Sequence, residues 1–258
     1  MGNTQRYFIQ IAYHGKNYHG WQTQNNGNTV QSELNLAIST ILGKQINVVG
    51  CGRTDTGVHA EKFFAHFDLE DNNSLASKEM IIGKLNRFLP KDITVTSLFE
   101  VSTDANARFS ATSRTYEYRI SLVKNPFLEE LSYYYHGKLD IELMNSGAKI
   151  IMEYHDFTSF SKLHTQTSTN NCNITSAHWI KKDDLLVFSI TADRFLRNMV
   201  RAIVGTLMDL GRGKINLPDL RKIIESKNRA NAGMSVPARG LFLVNVTYDE
   251  STFFSETR

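Results

Sequence analysis

Hydrophobic positions along the chain alternate, then fall into a helical period, then alternate again. Tyr7, Ile9, Ile11 and Tyr13 occupy every second position, which predicts a strand over residues 6–14. Val30, Leu34, Ala37, Ile38 and Ile41 share one face of a helix, with Asn28 or Thr29 as cap and Gly43 as stop. Residues 48–50 read as a short strand leading into a turn, Cys51-Gly52-Arg53-Thr54-Asp55-Thr56-Gly57. Phe63, Ala65, Phe67 and Leu69 alternate in the next strand. Ile81, Ile82, Leu85, Phe88 and Leu89 mark a helix that Pro90 ends, and Ile93–Val101 gives another strand. The order is βαββαβ, the ferredoxin-like unit.

A similar order follows. Tyr116, Tyr118, Ile120 and Leu122 line one face of a strand, and Ile141, Met144, Ala148, Ile151 and Met152 make a helix with Asp140 as cap. Two strands flank the Lys182-Asp183-Asp184 turn, helices cover about 195–210 and 218–226, and residues 241–246 close as a strand. The pattern therefore predicts two α+β halves, 1–103 and 104–258, meeting near residues 103–112. Only the order of elements repeats; the residues do not. Two polar stretches interrupt it, 14–28 and 161–173, and loops of that length are usually functional or mobile.

Composition narrows the class. Apolar residues make up 41% of the 258 and charged residues 21%, which excludes a disordered or collagen-like chain. Folding a chain of this length buries roughly 70–75% of the unfolded surface. No stretch approaches the ~18 apolar residues that span a bilayer. The N-terminal Met-Gly-Asn-Thr-Gln-Arg is followed by no apolar signal segment, so a soluble, cytoplasmic protein is expected. Cys51 and Cys172 have neither disulfide-scaffold nor CxxC spacing, so no structural zinc is expected. The net charge of +3 conceals an asymmetry. Between Arg194 and Arg239 lie ten Lys/Arg and three Asp/Glu, a local +7 that leaves −4 for the remainder. This is either the footprint of a polyanion partner or a solvated helical surface.

Three groups of residues could carry chemistry. Asp55 fits first an Asx-type turn residue; the alternative is a carboxylate on a tight turn facing a cleft between the halves, a nucleophile or general base oriented by Arg53 and Thr54. Arg194, Arg197 and Arg201, at i, i+3 and i+7, share a helix side with Asn198, opposite Leu196, Met199, Val200, Ile203, Val204 and Leu207. Such a row suits phosphate contacts or a buried carboxylate pair, or is the wet side of an amphipathic helix. Tyr116 and Tyr118 read as core tyrosines, or as a ring that stacks on a base. The histidines show no ligand spacing; His59-Ala60-Glu61 lacks the P-C-x-x-C of a zinc deaminase, and no P-loop, G-x-G-x-x-G, G-x-S-x-G or RNP1-like motif occurs.

Taken together, these motifs resemble the TruA-type tRNA pseudouridine synthases. Gly52-Arg53-Thr54-Asp55-Thr56-Gly57-Val58-His59-Ala60 is similar to that family's G-R-T-D-x-G-V-H-A signature. Gly20-Trp21-Gln22-Thr23-Gln24 with Thr29-Val30-Gln31 resembles its G-W-Q-x-Q…T-V-Q. Ala107-Arg108-Phe109-Ser110-Ala111, leading to Arg114-Thr115-Tyr116-Glu117-Tyr118, resembles A-R-F-S-A…R-x-Y-x-Y. Phe195-Leu196-Arg197-Asn198-Met199-Val200-Arg201 with Ile203-Val204-Gly205 is similar to F-L-x-x-M-V-R-x-I-V-G, and Pro237-Ala238-Arg239-Gly240-Leu241 to P-A-x-G-L. The likeness runs from about residue 6 to 248. One departure is visible: a position often His is Asn106 here.

The resemblance implies two ferredoxin-like halves joined through a mostly antiparallel sheet with a central cleft. It implies isomerisation of uridine to pseudouridine at positions 38, 39 and 40 of the tRNA anticodon stem-loop, with no cofactor and no metal, by a homodimer that engages no membrane. Asp55 would attack C1′ of the ribose or C6 of the uracil. Tyr116 would stack on the base, Arg201 would pair with Asp55, and Arg53 would bind substrate. Arg194, Arg197, Trp21 and Arg108 are candidate RNA contacts, as are the loops at 19–24 and 161–173. The detached uracil requires a closed, water-poor pocket. Two rival classes are a non-catalytic RNA-binding module and a glycoside or nucleoside hydrolase; the latter calls for a second carboxylate that the neighbouring motifs do not supply.

Overall fold

The computed structural model describes residues 4–25, 27–70, 77–162 and 169–253. It resolves into two compact units, Met1–Thr112 with Leu243–Arg258, and Ser113–Phe242.

The first unit runs β1 (Thr4–Tyr13), α1 (Val30–Leu42), β2 (Val49–Gly50), β3 (His59–Glu70), α2 (Lys78–Phe88) and β4 (Ile93–Val101). This is the βαββαβ order that the periodicity predicts. Strand β1 lies between β4 and β3, antiparallel to both, and β2 pairs with β3. Of the two candidate caps for α1 the chain uses Thr29. Its Oγ1 accepts from the Ser32 N–H at 3.3 Å while Ser32 Oγ accepts from the Thr29 N–H at 3.2 Å, a reciprocal box. Gly43, at φ +65, ends the helix.

The second unit contains β5 (Ala111–Ser121), β6 (Tyr133–Tyr134), α3 (Ile141–Ile151), β7 (Ile174–Lys182), β8 (Leu185–Ala192), α4 (Met199–Gly211) and α5 (Leu217–Glu225), and leads into β9 (Leu241–Tyr248). Strand β8 is antiparallel to both β5 and β7, and the short β6 runs parallel to β5. The class is α+β, with every other described pairing antiparallel. Asp140 caps α3 by accepting from the Leu143 N–H at 2.9 Å, as expected. Helix α4 is apolar and buried on nearly every side, the mark of a core helix rather than a half-wet surface one.

Two differences from the sequence reading have physical causes. Strand β3 does not alternate; residues 63–67 are all buried. Phe63 faces Tyr13 and Trp21, while Phe64 and Phe8, of opposite parity, meet the rings of Tyr248 and Phe253 at 5.2–6.4 Å. Both sheet faces are therefore covered. The same contacts place residues 243–253 with the first unit, and the chain passes into the second after Thr112. Tyr248 adds a hydrogen bond from its hydroxyl to Ala107 O at 2.7 Å, and Phe253 forms a bridge with Val101.

His66 sits at the edge of this aromatic cluster, its ring stacked on Phe8 at 6.0 Å. Its Nδ1 accepts the Ala107 N–H at 3.1 Å, so the neutral ring carries its proton on Nε2. Beside it Arg6 grips Asp68 through two 2.7 Å bonds and donates to Ala105 O at 2.8 Å. Burial and the Arg6 charge push the His66 pKa down to about 4, against a smaller opposing pull from Asp68. Between about pH 6.5 and 4 the unfolded chain binds a proton that the folded chain refuses. Stability from this group is complete above pH 6.5 and declines as pH falls through that window. Urea unfolding at pH 7 and pH 5 is expected to show a loss that is smaller, by on the order of 1 kcal/mol, in His66→Gln, which keeps an acceptor without the titration.

Candidate active site

The turn between β2 and β3 is held by main chain from a distant stretch of sequence. Within it, the Val58 N–H donates to Asp55 O at 3.1 Å, with Gly57 at φ +77. Residues 14–21 lie against it. The Trp21 N–H donates to Thr54 O at 3.2 Å, the Gly57 N–H to Tyr18 O at 3.4 Å, and the Gly15 N–H to His59 Nδ1 at 3.1 Å. Only glycine fits twice here. A Cβ on Gly15 would stand 2.0 Å from Val58 O, and one on Gly20, at φ +88, 2.3 Å from Thr54 O.

The clamping stretch is anchored in turn. Asp92 receives the Tyr18 hydroxyl on Oδ1, Asn17 Nδ2 at 2.9 Å on Oδ2, and the His14 N–H at 2.9 Å on its main-chain oxygen. Burial and the Asp92 carboxylate raise the Tyr18 pKa and keep that hydroxyl protonated. Thr54 is buried with its Oγ1 2.9 Å from the Tyr13 hydroxyl. The chain therefore points inward at Thr54, and Asp55 is half-buried between exposed Arg53 and exposed Thr56.

In the second unit Arg201 is half-buried on the first turn of α4. Its Nε donates to Val236 O at 2.7 Å, and the Val236 N–H returns a 3.3 Å bond to Arg201 O. Tyr116, on β5, is half-buried with Phe195 edge-on to its ring at 5.1 Å. Tyr118, two residues on, is core: its hydroxyl donates to Pro237 O at 2.8 Å, and burial raises its pKa. Of the two tyrosines only Tyr116 remains a candidate for base stacking.

The expected row of three arginines on one helix side is not formed. Asn198 adopts the left-handed region, φ +67, and α4 begins after it. Arg194 and Arg197 precede the helix in irregular chain, Arg194 half-buried and Arg197 exposed. They instead lie where the second polar stretch is tied down. The Lys162 N–H donates to Arg197 O at 3.1 Å, and Asp193 Oδ1 accepts the Asn173 and Arg194 N–H groups at 2.7 Å each. Residues 163–168 of that stretch lie outside the described residues.

Trp21 is corrected outright. It is fully buried, its ring 4.2 Å from Phe63 and against Gly50, where a Cβ would meet the indole at 2.5 Å. It is a core residue that fixes the clamp, not an RNA contact. The neighbouring residues 22–24 are exposed. Arg108 is exposed, with its guanidinium carbon 5.4 Å from the exposed Phe109 ring. Asn106, the departure from the family pattern, builds this turn: its Oδ1 accepts the Arg108 and Phe109 N–H groups at 2.9 and 3.1 Å. Among the described residues no group of three or more His, Cys, Asp or Glu is placed to hold a metal, and no helix is long and apolar enough to cross a membrane.

Comparison with known proteins assigns the family. Residues 154–249 match the model of a tRNA pseudouridine synthase family. The tRNA pseudouridine synthase A of Bacteroides thetaiotaomicron is 52% identical over 257 residues, 98% of this chain and 94% of that protein. That of Parabacteroides distasonis is 51% identical over 96% of this chain and 98% of its own length. The enzyme of the same name from Clostridium acetobutylicum is 39% identical over 93% and 98%. The chain belongs to the tRNA pseudouridine synthase A family.

It is thereby an isomerase, and the G-R-T-D signature of that family is the turn that residues 14–21 clamp. The sequence does not reveal Gly15 and Asp92 as partners in the clamp, or Val236 as the residue whose carbonyl takes the Arg201 Nε–H. Gly20→Ala is expected to lower the unfolding free energy by about 1–3 kcal/mol, because strain and a main-chain clash coincide. Gly83→Ala, in α2 with open space around it, is expected to be neutral or stabilising by up to about 1 kcal/mol. Urea denaturation of the two variants checks the contrast.

Proposed function

We infer that the protein converts uridine in tRNA to pseudouridine, with Asp55 as the reacting carboxylate. The observation that supports this best is the clamp: a half-buried carboxylate on a turn that main chain from residues 14–21 holds in place, so that its aim is fixed before substrate arrives. The reaction breaks the N1–C1′ bond, turns the uracil and rejoins it through C5. C5 gives up a proton and N1 gains one, so there is no redox change and no net hydrolysis, and the chemistry calls for no cofactor.

The roles follow from what each side chain can do. Asp55 attacks C1′ or C6, giving a covalent intermediate that the later attack by C5, or the reversal at C6, resolves. Arg201 is assigned, on the family likeness, as the cationic partner of the reacting carboxylate; since its Nε is committed to Val236 O, that role goes to its Nη atoms. Tyr116, its ring fixed by Phe195, stacks on the uracil, worth about 1–3 kcal/mol against the cost of unstacking it. Arg53 and Arg108, both exposed, and Arg194 and Arg197 are assigned to the RNA around the target base. The target lies in the anticodon arm, at positions 38, 39 and 40, and the working form is a cytoplasmic homodimer; the family likeness supports both.

Tritium release from C5-labelled uridine in tRNA tests the reading. A synthase releases tritium and keeps the base attached, a hydrolase frees uracil, and a binding module does neither. Asp55→Asn is expected to abolish release while tRNA affinity stays within several-fold; retained release would remove Asp55 from the chemistry. Arg197→Ala is expected to weaken tRNA binding and to reduce the slope of log K against log salt by roughly one unit. An unchanged slope would leave Arg197 without a phosphate.

A further inference from the structure

Helix α4 starts on a residue that does not cap it. Asn is among the best N-caps because its side chain accepts from the first free N–H groups of a helix. Asn198 occupies that position in α4, yet makes no side-chain cap bond and sits at φ +67, ψ +2, a conformation that costs a non-glycine residue of order 1 kcal/mol. Its amide is used elsewhere: Nδ2 donates to Ser235 Oγ at 2.6 Å. Arg229 converges on the same oxygen through Nη2 at 2.9 Å, while its Nη1 donates to Ala232 O at 3.3 Å and Gly233 O at 3.1 Å. Those described acceptors are all uncharged, and burial pulls the Arg229 pKa down. A half-buried guanidinium without a carboxylate partner among them is costly to retain for stability alone.

The segment these two residues hold is packed main chain to main chain on α4. The Gly233 N–H donates to Thr206 Oγ1 at 2.9 Å, and a Cβ on Gly205 would stand 1.9 Å from Met234 O. Next to Ser235 is Val236, whose carbonyl takes the Arg201 Nε–H. We propose that residues 229–236 form a strap that aims the Arg201 guanidinium, and that Asn198, Arg229 and Ser235 are positioning residues acting through it. This rests on the role given to Arg201 above. Fixing Nε to a carbonyl removes the last torsional freedom of the side chain, which leaves the Nη atoms pointing one way. The strained Asn198 backbone brings its amide to the strap at the point where α4 begins.

The test combines a catalytic and a spectroscopic readout. With ¹⁵N-labelled arginine, the Arg201 Nε–H signal, assigned by its loss in Arg201→Lys, is expected to exchange with water at least tenfold more slowly than that of a solvent-exposed arginine. Ser235→Ala and Asn198→Gly are expected to speed its exchange at least fivefold and to lower kcat on tRNA about tenfold, with tRNA affinity within twofold. Asn198→Gly keeps the backbone conformation without its cost, so its unfolding midpoint is expected not to fall, which separates aiming from folding. Ser235→Thr, which retains the hydroxyl, is expected to restore both readouts. Unchanged exchange in both variants would overturn the strap, as would faster exchange with kcat unaltered. A wild-type protein without turnover on tRNA would instead overturn the proposed function, and the exchange measurement would still decide the strap.

Discussion

The first unit depends on one close approach, the main chain of Gly20 against the carbonyl of Thr54. The role proposed for Asp55 requires a carboxylate that is aimed, and a surface turn rich in glycine is a poor place to aim anything. The protein solves this by making the turn half of a two-layer main-chain contact. Residues 14–21 supply the other half and are fastened at Asp92 and, through the buried Trp21, to the sheet. The glycines of the signature motif give the turn its bend, and the glycines of the clamp let main chain touch main chain. Rigidity at Asp55 thus comes from elements with no chemistry of their own.

The same device recurs in the second unit. Gly205 against Met234 O plays the part of Gly20 against Thr54 O, and the Val236 carbonyl fixes Arg201 much as the clamp fixes the Asp55 turn. In both places a non-helical segment lies on other main chain, a turn in one case and a helix in the other, at a distance no Cβ allows, and in both a residue with positive φ, Gly20 or Asn198, turns the chain into position. Strain of this kind persists only where the surroundings over-determine it. Here hydrogen bonds to Asp92 and to Ser235 do so.

Periodicity made most of the elements legible. Tyr7 to Tyr13 and Val30 to Ile41 announce a strand and a helix because one face of each is buried, and the βαββαβ order follows. What periodicity could not show was a second covered face. Phe8 and Phe64 break the alternation because Tyr248 and Phe253 return from the far end of the chain, and no local pattern encodes a contact across about two hundred residues. The start of α4 was misread for a related reason: Leu196 and Arg197 fit a helical period, and only the left-handed turn at Asn198 separates them from it. Asp55 was legible through its motif. Trp21 was misassigned because a Trp within a polar stretch looks exposed until the glycine beneath it, Gly50, is known to make room.

The charge asymmetry reads differently in space. Counted along the chain, residues 194 to 239 hold a +7 excess while the remainder is acidic. In the fold, Arg221 pairs with Glu153 at 2.6 Å, Lys227 with Asp156 at 2.8 Å and Arg239 with Glu129 at 4.0 Å, each carboxylate coming from outside that segment. Within it, Arg212 and Lys214 share Asp209, and Lys222 meets Asp219. Such pairs add little stability, since exposed ion pairs are worth about 0–1 kcal/mol, but they do cancel the field at a distance. Folding thus sets three outside carboxylates against the segment's +7, which softens the split without removing it. The unit nevertheless stays the basic one of the two, with 18 Lys/Arg against 13 Asp/Glu over residues 113–242, so an RNA that approaches it meets a net positive charge as well as the short-range contacts.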